Sequence, residues 1–314
     1  MTRRSTLAWW IVLGLPVAAL LLWAAIDNSR LFFRTVLNGL TLSALYFLVA
    51  SGFTLVFGLM RNVNLAHGAL FLLGAYVGFS VQAATGSWLV ALAAGFAATA
   101  IAGLLMQLII FRHMEGDDMR QTLVTIGLSI VMANLMLWIW GGDTYVFQPP
   151  SGLDGSITIP GVGRFPAFRV ALLVAAIVIG VALWLFLNRT RVGMMIRAGV
   201  DDRNMLSASG VNVQRVFAIT FAIGAGLAGL AGVVGGTALS VAPGEDTRYL
   251  LASLVVVIVG GMGSVSGAAI GALLIGLAET FGLAYVPTYG IVFTFLIMVL
   301  VLAFRPQGIM GRAR

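Results

Sequence analysis

The sequence predicts an all-α membrane protein, a polytopic helical bundle of about ten spans (eight to ten) with broken helices and both termini cytoplasmic. Three observations carry this. Of the 314 residues 60% are hydrophobic and only 9% charged, the mean hydropathy is +1.04, and apolar runs recur at roughly the 20-residue length that crosses a ~30 Å hydrocarbon core. A water-soluble domain carries about 25% charged residues, so a soluble enzyme, a disordered chain and a nucleic-acid-binding module are all excluded. The net charge of +7 comes from arginine alone, since the chain has no lysine; this is compositional bias, not chemistry. The absence of cysteine removes disulfides, thiolate metal sites and a cysteine nucleophile. With two histidines and neither in an HExxH-type spacing, no metal or other cofactor is expected.

Cutting the chain at its polar breaks places spans near 7–26, 36–59, 67–84, 88–111, 121–140, 169–188, 216–240, 250–262, 266–284 and 288–304. The first follows Arg3 and Arg4 as a signal peptide would, but its apolar run exceeds a typical h-region, so it is expected to remain as a helix. The eighth is short and a glycine-rich break follows it, so the eighth and ninth could instead form one bent hairpin. Cytoplasmic connections retain positive charge. With the N-terminus inside, thirteen arginines fall on the cytoplasmic side and five (Arg30, Arg34, Arg164, Arg169, Arg248) on the other, which predicts an even number of spans.

The chain reads as a single permease-like domain over 1–314 with two structured connections. The loop 141–168, rich in Gly and Pro, is expected outside the cytoplasm, with a short hairpin at Ser156-Ile157-Thr158-Ile159. The segment 189–215 is expected in the cytoplasm and holds the densest charge in the chain. There Asp201 and Asp202 precede Met205, Leu206 and Ala208, and Ser209-Gly210 follows, the pattern of an N-capped short helix closed by glycine. An apolar knob of Met205, Leu206 and Ala208 between Arg197, Arg203 and Asp202 suits docking into a groove on a cytoplasmic partner. The alternative is a loop capped for solubility alone.

Five motifs in order resemble the permeases of high-affinity branched-chain amino-acid ABC importers. They are Asn64-Leu65-Ala66-His67-Gly68-Ala69, Thr125-Ile126-Gly127-Leu128-Ser129, the stretch from Arg197-Ala198 through Met205 to Gly210-Val211-Asn212, the run Gly260-Gly261-Met262-Gly263-Ser264-Val265-Ser266-Gly267-Ala268, and Phe304-Arg305-Pro306-Gln307-Gly308. The resemblance runs from about Arg34 to Arg312. The Asn-Leu-Ala-His-Gly motif is similar to the first of the two permeases such importers use. The resemblance implies that the 197–210 stretch is the coupling helix, that a second homologous permease completes a heterodimer, and that two cytoplasmic ATP-binding subunits and a periplasmic substrate-binding protein join it in the bacterial inner membrane. Urea and short-amide importers use similar permeases, so the solute stays open between these classes. The chain itself is not expected to be the ATPase: a P-loop needs Gly-x-x-x-x-Gly-Lys-[Ser/Thr], and no lysine exists here.

Two glycine-interrupted breaks, Gly58 to Gly68 and Gly260 to Gly267, are expected at one membrane face. Irregular backbone at membrane depth is tolerated where it lines a cavity or is buried in protein. Asn62, Asn64, His67, Gly68, Gly261, Gly263, Ser264, Ser266 and Gly267 are therefore candidates for the solute pathway. The competing reading is that Gly267, Ala268 and Gly271 only permit close helix crossings. Glu279 is the one carboxylate placed within a span and faces either the pathway or a neighbouring helix. Asn134 and Gln107 are expected as interhelical hydrogen-bond partners. An autonomous secondary transporter would also use broken helices, but Glu279 alone leaves ion coupling little to act through. An intramembrane serine protease would need a base oriented on Ser264 or Ser266, which the sequence does not supply.

Overall fold

The computed structural model describes residues 28–60, 63–114 and 117–311; the expected first span, Asn62, Arg312 and Arg314 lie outside them. The described chain runs through α1 (Ser29–Met60), α2 (His67–Thr85), α3 (Trp88–Leu105), α4 (Asp118–Trp140), a hairpin of β1 (Ser156–Ile159) and β2 (Gly163–Pro166), α5 (Ala167–Arg189), α6 (Arg191–Asp201), α7 (Arg203–Ala208), α8 (Val213–Ala238), α9 (Glu245–Gly260), α10 (Val265–Tyr285) and α11 (Gly290–Phe304). Seven of these helices are long and apolar enough to cross a membrane, and the apolar part of α11 is a shorter one. The protein is thus an all-α polytopic membrane protein, and its helices fall on the apolar runs read from the sequence.

Helices α1 and α8 form the centre, with 83% and 78% of their spans buried inside the chain, whereas only 11% of α4 and 22% of α5 is covered. A helix that is apolar all round belongs in a core or in lipid, and α4 shows the second case: Leu123, Ile126, Ile130, Val131 and Leu135 all stand at the bundle surface. The central crossing is made by glycine. A Cβ on Gly74 of α2 would lie 2.2 Å from Gly229 Cα of α8, and one on Gly95 of α3 would lie 2.8 Å from Gly74 O. Three backbones meet where any side chain would hold them apart, the close approach that small residues permit between membrane helices.

The hairpin pairs Ser156 with Pro166 and Ile159 with Gly163, so the expected strand finds its partner within the same loop. Helix α3 passes into a π turn at Met106–Ile110 and a 3-10 turn at Phe111–His113, which sets Phe111 against Phe221 of α8 at 5.3 Å. Two expectations are corrected here. Asn134 donates to Ile130 O of its own helix and not to another helix. Gln107 lies in the π turn among apolar neighbours, and both its amide atoms are buried without a partner.

The span expected at 250–262 begins earlier. Helix α9 starts at Glu245 and has 16 residues, about 24 Å at 1.5 Å per residue and less than a ~30 Å core. A Cβ on Gly68 would lie 2.0 Å from Asp246 O. The N-termini of α2 and α9 therefore abut, and the polar first turn of α9 is held against another helix instead of lying in a loop.

Candidate functional site

Segment 189–215 is built by successive caps. Thr190 Oγ1 accepts from Gly193 N at 3.0 Å and opens α6. Asp202 Oδ1 accepts from Asn204 N at 2.8 Å and from Met205 N at 3.1 Å and opens α7. Asn212 Oδ1 accepts from Arg215 N at 3.1 Å and opens α8. Each satisfies donors that a helix start leaves without partners, and Gly210 at φ +80° closes α7. Ser209 Oγ donates back to Met205 O, Arg197 donates to Asn188 Oδ1, and the Arg203 guanidinium lies 5.0 Å from the Phe217 ring centroid. The expected knob divides: Leu206 packs inward at 5% exposure, while Met205 projects at 66%. Of the three expected knob residues, Met205 and Ala208 stand exposed and Leu206 alone turns inward.

Among the described residues the two breaks meet at Gly58 and Gly263. A Cβ on Gly58 would lie 3.0 Å from Gly263 Cα, and Val200 of α6 packs on both. Gly261 (φ +108°) and Gly263 (φ +80°) hold turns closed to other residues, and Ser264 Oγ accepts from Gly267 N at 3.0 Å to cap α10, with Ser266 Oγ 3.2 Å away. The C-terminal motif has a visible role: Gly308 turns the chain so that Ile309 N and Met310 N donate to Val259 O and Gly260 O, both at 2.9 Å. Gly267 and Gly271 lie at the crossing of α10 with α9, where a Cβ on either would come within 2.4 Å of a carbonyl oxygen.

Asn64 and His67 point elsewhere. The chain doubles back after α1, so His67 Nε2 donates to Val49 O at 3.1 Å in the middle of α1, its ring edge-on to Phe53 at 5.2 Å, while Nδ1 has no partner. Asn64 Oδ1 accepts from Ala66 N, Leu65 N donates to Thr125 Oγ1 of α4, and Asn64 Nδ2 is buried without a partner. The structure thus joins Gly58 to Gly263 but carries Asn64, His67 and Gly68 to a different neighbourhood from Ser264 and Ser266.

Glu279 ties three helices together. Tyr46 Oη of α1 donates to its Oε2 at 2.7 Å, and Arg248 of α9 approaches its Oε1 at 3.6 Å and Glu245 at 3.5 Å. Removing a partner from such a network leaves buried polar atoms unsatisfied, which costs about 1–3 kcal/mol. Glu279→Gln is expected to lower thermal stability, read as an earlier unfolding transition of the purified protein, with uptake retained below that transition. Lost uptake at unchanged stability would instead place Glu279 on the pathway.

Sequence reasoning missed a cavity of about 340 Å³ between α2, α4 and the turn into α9, lined among others by Tyr76, Ser129, Asn134, Leu137 and Asp246. Asp246 was hidden because the acidic pair Glu245-Asp246 reads as loop beside an apolar run; the shortness of the span at 250–262 was the one available signal. Among the described residues no group of three or more His, Asp or Glu could hold a metal ion.

Fold and site together define a multi-pass membrane protein of the permease class, with small-residue crossings, a pocket between α2, α4 and the start of α9, and a capped helix at an arginine-rich end. The chain belongs to the family described as branched-chain amino acid transport system / permease component, whose model matches residues 35–302. It is 32% identical over 297 residues, 90% of this chain and 96% of the relative, to the high-affinity branched-chain amino acid transport system permease protein LivH of Salmonella typhimurium. It is 31% identical over 296 residues, with the same shares covered, to the corresponding permease protein BraD of Pseudomonas aeruginosa. A more distant relative is the ribose import permease protein RbsC of Escherichia coli, 27% identical over 291 residues, 87% of this chain and 86% of that one. No solved structure matches the chain.

Proposed function

We propose that this chain is the transmembrane permease subunit of an ATP-binding-cassette importer that carries branched-chain amino acids across the bacterial inner membrane. It is read as pairing with a second, homologous permease, with two cytoplasmic ATP-binding subunits below and a periplasmic substrate-binding protein above. The carrying observation is near full-length likeness to permeases named for branched-chain amino acid transport. The architecture fits it. A chain without lysine has no P-loop, so ATP is hydrolysed elsewhere, and the exposed Met205, on a helix that Asp202 caps and Gly210 closes, is the contact for that partner. In this reading 189–215 is the coupling segment, 141–168 is extracytoplasmic, both termini are cytoplasmic and the span count is even, eight to ten. The residues at Gly58, Gly261, Gly263, Ser264 and Ser266 form the cytoplasmic end of the pathway, closed by backbone contact at Gly58 and Gly263 and opened by small helix movements.

Reconstitution with its partners tests the proposal. Leucine uptake into proteoliposomes is expected to require internal ATP, the ATP-binding subunits and the substrate-binding protein. Uptake that continues without the ATP-binding subunits would make the protein an autonomous transporter.

A further inference from the structure

The cavity between α2 and α4 contains a donor and an acceptor that the fold leaves unused. Tyr76 is 1% exposed and its Oη has no hydrogen-bond partner. Its ring position is imposed: it stacks on Trp140 at 5.2 Å with an interplanar angle of 10°, and Trp140 Nε1 in turn donates to Ser80 Oγ. Asp246 is 8% exposed, and its carboxyl group forms no hydrogen bond or ion pair within the described residues, although it lies near enough to Tyr76 to act on it electrostatically. The nearby cation is already committed, because Arg248 lies between Glu245 and Glu279. Glu245 and Glu279 take up that guanidinium between them, and Asp246 has no share in it. An ionisable side chain held within a membrane protein without a counter-ion is costly, and one that lines a pocket is placed to receive a cation.

The remaining lining sets the shape of that cation. Leu72, Ile130, Ala133, Met136 and Leu137 make an aliphatic wall, with Ser129, Asn134 and Thr247 beside it, and the volume sits at the small end of the ~300–1,000 Å³ range of ligand pockets. An acceptor for an ammonium, a phenolic donor for a carboxylate and aliphatic walls for a branched side chain together describe a small zwitterion. We infer that Asp246 and Tyr76 form a subsite on the solute's route that receives the ammonium and the carboxylate, respectively, of an aliphatic amino acid. The inference rests on the function proposed above and narrows it, since urea and simple amides carry no charge for Asp246 to meet.

The test has two arms, both on the assembled importer. In the first, leucine uptake and ATP hydrolysis stimulated by the binding protein are measured for Asp246→Asn and Tyr76→Phe. Loss of one charge-assisted hydrogen bond is expected to slow uptake at saturating binding protein by about tenfold or more in Asp246→Asn, and by less in Tyr76→Phe, with stimulated hydrolysis within twofold of wild type. In the second, Ala133→Cys is the only thiol of this chain, in complexes whose partner subunits are also cysteine-free. It is labelled with a cationic and an anionic methanethiosulfonate of similar size. The cationic reagent is expected to react at least about tenfold faster with Asp246 present, and the preference should collapse in the Asp246→Asn background. Uptake within twofold of wild type in Asp246→Asn overturns the inference, as does a charge preference that the substitution leaves unchanged. If Asp246→Asn loses uptake and stimulated hydrolysis together, the labelling ratio decides alone. If the wild-type importer moves no amino acid, the proposed function fails, and the labelling still reports whether Asp246 sets the charge preference of this cavity.

Discussion

Met205→Glu is expected to uncouple the proposed importer: ATP hydrolysis by the partner subunits should no longer respond to the loaded binding protein and leucine uptake should fall to background, while the purified permease keeps its unfolding temperature. Stability survives because Met205 is 66% exposed, and surface substitutions outside special sites change stability by about 0.5 kcal/mol or less. Function should be lost because, in the proposed interface, a hot-spot side chain accounts for about 2 kcal/mol or more, and a charge in its place adds a desolvation penalty. Leu206→Glu behaves differently. That side chain is 5% exposed, so the change unseats α7 itself and lowers stability as well. Asp202→Ala removes the cap from two amides and costs about 1 kcal/mol, so its coupling defect should be partial and grow with temperature. If Met205→Glu, and then a Gly/Ser replacement of the whole 197–210 stretch, both leave uptake and stimulated hydrolysis intact, α7 is not the contact with the ATP-binding subunit.

Gly229→Leu prevents the bundle from forming. A Cβ at Gly229 would lie 2.1 Å from Thr99 Oγ1 and 2.6 Å from Gly95 O, and Gly74 of a third helix is packed on its Cα. Overpacking at a single contact costs about 1–3 kcal/mol when neighbours can shift. Here the neighbours include backbone of two helices that are themselves locked together, so the cost should approach the roughly 5–15 kcal/mol that separates folded from unfolded proteins. The expected readout is loss of the monodisperse peak in size-exclusion chromatography of the solubilised protein. Gly127→Leu is the control, because nothing lies within 4 Å of a Cβ there. A monodisperse Gly229→Leu protein with wild-type thermal stability would show that the three-helix crossing does not have this geometry.

The helices and their ends were legible in the amino-acid order because both depend on local quantities. Transfer into lipid sums residue by residue along a segment, so the apolar runs at 67–84, 121–140 and 169–188 recur in α2, α4 and α5 almost unshifted. Caps act within one turn, so Asp202 and Gly210 announced α7, and the absence of lysine excluded a P-loop before any fold was known. What the backbones do when they meet is not local. The start of α9 at Glu245 escapes a hydropathy sum because Asp246 and Arg248 lie beside residues far away in the sequence, Tyr76, the N-terminus of α2 and Glu279, and a sum that stops at an arginine cannot register partners some thirty or more positions distant. The same holds for His67, whose buried ring is held by a carbonyl in the middle of α1, and for Leu206, whose burial separates it from Met205. Only the tertiary structure could decide which glycines meet backbone, which carboxyl finds a guanidinium and which is left facing a cavity, because each depends on the register in which rigid helices pack and not on the composition of any one of them.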